Sequence, residues 1–198
     1  GFVRAQDRAE WRPIEAPALA DRTVLIVGYG AVGAAVERRL DGFEVELVRV
    51  ARHARDGVHA YVDLPALLPQ ADVVILIVPM TGDTRGMVDR DFLARMKDGA
   101  LLVNVARGPV VDTAALVEAL HTGRIHAALD VTDPEPLPDG HPLWSAPGVI
   151  VTPHMAGGTT AMRPRIERLV RDQLERYVAG ADLVNVVDPA AVAGPSAD

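Results

Sequence analysis

The sequence predicts an α/β protein whose parallel sheet is doubly wound, with helices on both faces. Three observations point there. Short β-rich apolar runs alternate with helical patterns along the chain. A glycine turn follows the first apolar run directly and opens a helix. The run Val73 to Pro79 is apolar throughout, as suits a strand covered on both faces.

The elements follow in order. Thr23 to Val27 is the first strand, and Ala31 to Leu40 a helix with Val32, Val36 and Leu40 on one face, closed by Gly42. Glu44 to Val50 is the second strand. Asp63 is placed to cap a short helix holding Leu64, Leu67 and Leu68, with Pro65 in its first turn. Further strands are expected at Asp72 to Val78, Ala100 to Val105, Ile125 to Val131 and Val149 to Thr152. Helices are expected at Asp91 to Met96 and at Thr113 to His121, the latter closed by Gly123. A long final helix, Thr159 to Ala179, is interrupted early by Pro164.

Composition narrows the function. The formal charge is −7, which argues against nucleic acid as a partner, since such a protein shows a basic face. There is no cysteine, so disulfides and Cys-ligated zinc are excluded, and no metal site is expected. No apolar run approaches the ~20 residues of a membrane span, so no membrane association is expected. The charged stretch Gly1 to Pro13 has no leader-like apolar core, and a cytoplasmic location is compatible with all of this.

Gly28-Tyr29-Gly30-Ala31-Val32-Gly33 fits G-x-G-x-x-G in the strand–turn–helix context that the motif needs. Gly28 would permit the tight turn, Gly30 the approach of a pyrophosphate, and Gly33 close packing of helix on strand. The helix N-terminus then offers free N–H groups to phosphate. This makes the fold Rossmann-type. Dinucleotide sites that prefer NAD place an acidic residue about 20 residues further on, at the end of the second strand. Arg49 occupies that place, and Arg52 and Arg55 follow. An arginine pairs with a 2′-phosphate and accepts nothing from a 2′-hydroxyl, so NADP(H) is the expected cofactor and NAD(H) the alternative. A solvated basic loop is the competing reading.

Three more segments begin in strands and break into loops with Gly or Pro: Leu102 to Gly108, Leu129 to Pro136 and Thr152 to Gly158. Ligands of open parallel sheets bind beyond the carboxyl ends of the strands. Arg107, Glu135 and His154 can therefore converge on one crevice. Arg107 can hold a carboxylate with two parallel bonds. Imidazole is the side chain suited to proton transfer near neutral pH, so His154 can move the hydroxyl proton, and Glu135 can orient it and stabilise its charged form. Taken singly, each has a bland reading: surface arginine, loop glutamate, structural histidine. His53, His59, His121, His126 and His141 receive only that reading.

The chain resembles the C-terminal, NAD-binding region of the D-isomer-specific 2-hydroxyacid dehydrogenases, most closely the glyoxylate/hydroxypyruvate and phosphoglycerate branches. The resemblance runs from about Gln6 to Val187 and rests on the turn at Gly28, VPMTGDTRG ending the third strand region, VNVARGPVVD from Val103, AALDVTDPEPLPDGHPLW from Ala127, and TPH from Thr152. It implies hydride transfer between nicotinamide and a small D-2-hydroxy or 2-keto acid. Arg107 would hold the substrate carboxylate, His154 would be the acid/base and Glu135 its partner. Asp130 would bind the nicotinamide carboxamide. Pro79, Thr84, Val105, Ala106, Arg107 and Gly157 would lie along the cofactor. Ala31 departs from an arginine that is common in the family, which removes one phosphate contact.

The resemblance also sets the expected organisation: a linker helix over residues 1–20, a dinucleotide domain over 21–158, a helix over 159–187 and a disordered tail over 188–198. The N-terminal substrate domain of the family would be largely absent, so the chain alone is expected to be weakly active or inactive. A homodimer is expected, with the apolar side of the last helix as a contact. A dinucleotide-sensing module without turnover is the alternative function.

Overall fold

The computed structural model describes residues 5–11, 13 and 15–186. Seven parallel strands form one sheet in the order β3-β2-β1-β4-β5-β6-β7. They are β1 Thr23–Val27, β2 Glu46–Ala51, β3 His59–Ala60, β4 Val73–Leu76, β5 Leu101–Asn104, β6 His126–Leu129 and β7 Val149–Val151. Strand order reverses between β1 and β4, and ligands of such sheets bind at that switch point. The helices are α1 Ala31–Leu40, α2 Leu64–Leu67, α3 Arg90–Arg95, α4 Thr113–His121 and α5 Met162–Val178.

Sequence and structure differ at informative places. Gly42 does not close α1. A 3-10 turn, Asp41–Phe43, carries the chain past it, and Glu44 takes the left-handed conformation (φ 56°). Asp63 does not cap α2, because its carboxylate reaches back to the Ala60 N–H at 3.0 Å. The edge strand β3, only two residues long, was not predicted. Pro164 does not interrupt α5, since it falls in the first turn, where its missing N–H leaves no bond unmade. Asp89, unforeseen as a cap, accepts the Phe92 N–H at 2.9 Å.

The core lies on one face of the sheet. Leu25, Val27, Val74, Leu76, Leu102 and Leu129 are buried there against Leu64 and Leu68, Phe92 and Leu93 of α3, and Leu116 and Leu120 of α4. Full burial of one such side chain contributes about 1.5–3 kcal/mol. The other face is covered less. Val24 and Ile26 are buried near Gly33 of α1, but Val73, Ile75 and Val103 are only half-buried and Ile150 is exposed. The expectation that β4 is covered on both faces therefore holds for one face only. Val32, expected to pack with Val36 and Leu40, is exposed at the start of α1.

Of the expected linker helix, Ala5 and Gln6 are helical and a turn follows at 7–9, while residues 1–4, 12 and 14 lie outside the described residues. The expected tail over 188–198 lies outside them as well. Among the described residues no helix is long and apolar enough to cross a membrane, and no group of acidic, His or Cys side chains is arranged to hold a metal.

Candidate active site

The glycine turn has the geometry that its three glycines imply. Gly28 has φ +106°, and a Cβ there would sit 2.5 Å from the Ile77 carbonyl oxygen. Its N–H and that of Tyr29 both donate to the Val50 carbonyl, at 2.9 and 2.8 Å, which ties the turn to the end of β2. A Cβ on Gly33 would lie 3.2 Å from the Gly28 oxygen and 3.3 Å from Ile26, so α1 lies close on β1. Gly30 differs, because a Cβ there would meet nothing within 4 Å. The open space faces the start of α1, where no side chain caps the helix. Free N–H groups and the positive end of the helix dipole are thus turned to open space. The residues present fit a pyrophosphate.

A cavity of about 350 Å³ adjoins this turn. Tyr29, Ala31, Val32, Arg52, Pro79 and Thr84 line part of it. Thr84 is buried and its hydroxyl donates to the Pro79 carbonyl at 2.6 Å while accepting the Thr81 N–H at 2.9 Å, so it shapes the loop after β4.

Arg49 is engaged elsewhere. Its guanidinium makes a two-point ion pair with Glu37 of α1 (Nε to Oε2 3.0 Å), and its Cζ lies 5.7 Å from the centre of the Tyr29 ring. The Tyr29 hydroxyl donates to the same Glu37 carboxylate. These bonds, Arg49 first and Tyr29 second, bring the Glu37 pKa down to about 2. Arg49 does not line the cavity, whereas Arg52 does.

The three segments of Arg107, Glu135 and His154 emerge from the carboxyl ends of β5, β6 and β7, which are neighbours in the sheet. Asn104, at the end of β5 and almost fully buried, accepts the Ala106 N–H at 3.0 Å and donates to the Arg107 carbonyl at 3.1 Å. This shapes the Val105–Arg107 turn and leaves Arg107 exposed. The Arg107 guanidinium donates to the Ala106 carbonyl at 2.7 Å and forms no ion pair among the described residues. Gly108 presses on the next loop: a Cβ there would be 1.8 Å from the Thr132 carbonyl oxygen. Any side chain at 108 would therefore push the Arg107 loop away from the loop that carries Glu135.

Asp130 organises the third segment. Its carboxylate accepts the Thr152 hydroxyl at 2.6 Å and the Met155 and Ala156 N–H groups at 3.0 and 2.9 Å. Burial works to raise its pKa, but the bonds from Thr152, Ala156 and Met155 outweigh this and hold the group below the usual carboxylate value. Its carbonyl accepts the His154 N–H at 2.8 Å. His154 has φ +48°, a left-handed conformation that is uncommon outside glycine. The strained position carries the ring to Glu135, with Nδ1 to Oε1 at 2.7 Å. Both side chains are partly open to solvent, 48% for His154 and 41% for Glu135.

The structure thus joins His154 to Glu135 directly and sets Arg107 on the adjoining loop without a hydrogen bond to either. Gly157 is exposed beyond His154. Val105 and Asp130 help to line a shallow apolar cavity of about 250 Å³ beside Thr152 and Met155. Asn104, Glu37 and Asp83, the last of which also lines the cavity at the glycine turn, were missed in the sequence. Asn104 had a legible signal, as the one polar residue ending an apolar strand. A second cavity, about 520 Å³, lies at the opposite edge of the sheet beside Arg22, Asp72 and Lys97. There both cations are already paired with Asp72, and no glycine turn faces it.

Residues 2–156 match the family model described as D-isomer specific 2-hydroxyacid dehydrogenase, NAD binding domain. A glyoxylate reductase of Thermofilum pendens is 38% identical over 179 residues, covering 86% of this chain and 53% of that protein. A D-isomer specific 2-hydroxyacid dehydrogenase of Xanthobacter autotrophicus, solved with NADPH and MES, superposes with TM-score 0.81 at 36% identity, covering 97% of this chain and 81% of that one. An NADPH-dependent glyoxylate/hydroxypyruvate reductase of Sinorhizobium meliloti, solved with NADP and sulfate, gives TM-score 0.81 at 30% identity, covering 97% and 63%. The chain spans about half the length of the curated relatives that it matches.

Proposed function

The chain belongs to the D-isomer specific 2-hydroxyacid dehydrogenases, within their NAD binding domain, and from that premise we propose that it serves hydride transfer between a nicotinamide dinucleotide and a small 2-hydroxy or 2-keto acid. The observation that carries the reading is the His154–Glu135 hydrogen bond of 2.7 Å, at the carboxyl edge of a sheet whose glycine turn is open at Gly30.

The N–H groups at the start of α1 would hold the pyrophosphate, with Gly28, Gly30 and Gly33 giving it room. A nicotinamide bound there would supply or accept the hydride. Arg107, exposed and without an acidic partner among the described residues, binds the substrate carboxylate through two parallel bonds. His154 gives its proton to the carbonyl oxygen during reduction and takes it from the hydroxyl during oxidation. Glu135 occupies Nδ1, which leaves Nε2 for the transfer. It also stabilises the imidazolium when that form appears. Asp130 holds the loop that aims His154 and would be the residue that binds the cofactor's carboxamide.

NADP(H) is the preferred cofactor in this reading. Arg52 supports it as the arginine lining the cavity. Because Glu135 and His154 are open to water, slow turnover is expected of this chain by itself. The exposed stripe Ile166, Leu169, Val170 and Leu174 on α5 supports assembly of two copies.

The test follows consumption of NADPH and NADH with glyoxylate, hydroxypyruvate and pyruvate, using the longest form of the protein that its gene encodes. Oxidation of nucleotide with at least one of these acids is expected. Tight nucleotide binding with no turnover of any 2-keto acid would favour the sensing module instead.

A further inference from the structure

Three arginines stand near the outer end of the glycine turn, and each has a different partner. Arg49 is fixed on Glu37. Arg55 donates to the Tyr29 carbonyl and lies 5.8 Å from the centre of the Tyr29 ring. Arg52 pairs with Asp83, Nη2 to Oδ2 at 2.7 Å. Arg52 directly follows β2, and Asp83 belongs to the loop after β4. Because β2 and β4 flank β1, this ion pair spans the tip of β1 above the turn. Both residues line the cavity that begins at Gly28, with Tyr61 between them and the core. Both side chains are more than half exposed, at 58% and 60%.

We propose that Asp83 is a cofactor-selectivity residue, which holds Arg52 across the cradle until a phosphate monoester on the cofactor's adenosine ribose takes its place. The inference rests on the dinucleotide reading above. An exposed ion pair contributes little, so Arg52 can be released from Asp83 at small cost. A phosphate monoester offers three oxygens and more negative charge than a carboxylate, and it bonds an arginine in the same two-point manner. A cofactor without that phosphate leaves Arg52 with Asp83. The carboxylate therefore competes with one cofactor and not with the other. Arg49 and Arg55 are poorer candidates, because moving either would undo bonds that shape Tyr29 and α1.

The experiment is calorimetric titration of NADPH and of NADH into this chain and into its Asp83→Asn, Asp83→Ala, Arg52→Gln and Asp83→Asn/Arg52→Gln variants. Either Asp83 variant is expected to tighten NADPH by up to about five-fold, the scale of an exposed ion pair, with a clearly smaller change for NADH. In the Arg52→Gln background the gain from Asp83→Asn should vanish. An equal gain for both nucleotides, no gain for NADPH, or a gain that persists without Arg52 overturns the proposal. If the unaltered chain takes up neither nucleotide, the dinucleotide reading itself falls and this inference falls with it.

Discussion

Single residues do unlike work here, and the substitutions that expose each role differ in kind. Gly108 is a packing requirement: a methyl group would overlap the Thr132 carbonyl at 1.8 Å. Gly108→Ala should destabilise the chain by about 1–3 kcal/mol, the usual cost of overpacking, in urea unfolding. A fully stable Gly108→Ala protein would mean that the two loops do not touch. Glu37 is an electrostatic tie between α1 and β2. Its pKa falls from the ordinary 4.5 to about 2 through Arg49 and Tyr29. The depressed value means that its contribution is complete above pH 4.5 and is lost as pH falls through about 2. Glu37→Gln should lower stability by about 1.5–3 kcal/mol at neutral pH, as expected for hydrogen bonds to a charged group. The difference from the unaltered chain should shrink on acidification. A difference that stays constant from neutral to strongly acidic pH would contradict the ion pair.

At the scale of the element, the site is a set of strand tips. Asn104 ends β5 and shapes the Arg107 turn, and Asp130 follows β6 and binds the loop after β7. Asp130→Ala should release the Thr152–Ala156 loop and leave its N–H groups without acceptors. Hydrogen exchange should then rise at Met155 and Ala156 while β6 itself stays protected; unchanged exchange there would remove Asp130 from this role. The strands and α1 were legible because their signals are local: apolar runs, a glycine turn, a 3.6-residue period. The first strand, α1 and α4 were predicted to the residue. Most other strand ends ran one or two residues long, because apolar residues continue past the last ladder bond into loop, whereas β2 extends one residue beyond its expected end and α3 begins one residue before its expected start. The edge strand β3, His59–Ala60, is too short to show a period of its own. Arg49 shows the limit of position without partners. Its place on β2 was legible, but the glutamate that occupies it stands twelve residues earlier on another element.

Across the whole molecule, one face of the sheet is filled and the other is partly bare. Half-buried Val73, Ile75 and Val103 and exposed Ile150 sit on the same sheet that carries the site. The apolar stripe of α5 is also uncovered. If the stripe joins two copies, Leu169→Asp should shift the sedimentation coefficient from that of a dimer to that of a monomer. Identical sedimentation before and after the change would remove α5 from any such contact. The loops after β5, β6 and β7 were legible as motifs, and their convergence followed from the rule that parallel sheets bind ligands at their carboxyl ends. His154 meets Glu135 as the motifs suggested; what they did not carry was the place of Arg107, which stands on the next loop, its carbonyl bonded by Asn104 and Gly108 set against the Thr132 carbonyl.

The account depends most on His154 as the proton carrier. The direct measurement is kcat for reduction of glyoxylate or hydroxypyruvate by His154→Asn beside the unaltered protein, in the longest encoded form, with nucleotide affinity measured on both. Loss of about 10²–10⁴ in kcat with nucleotide affinity retained is the predicted result. A variant that keeps its full rate would contradict the account.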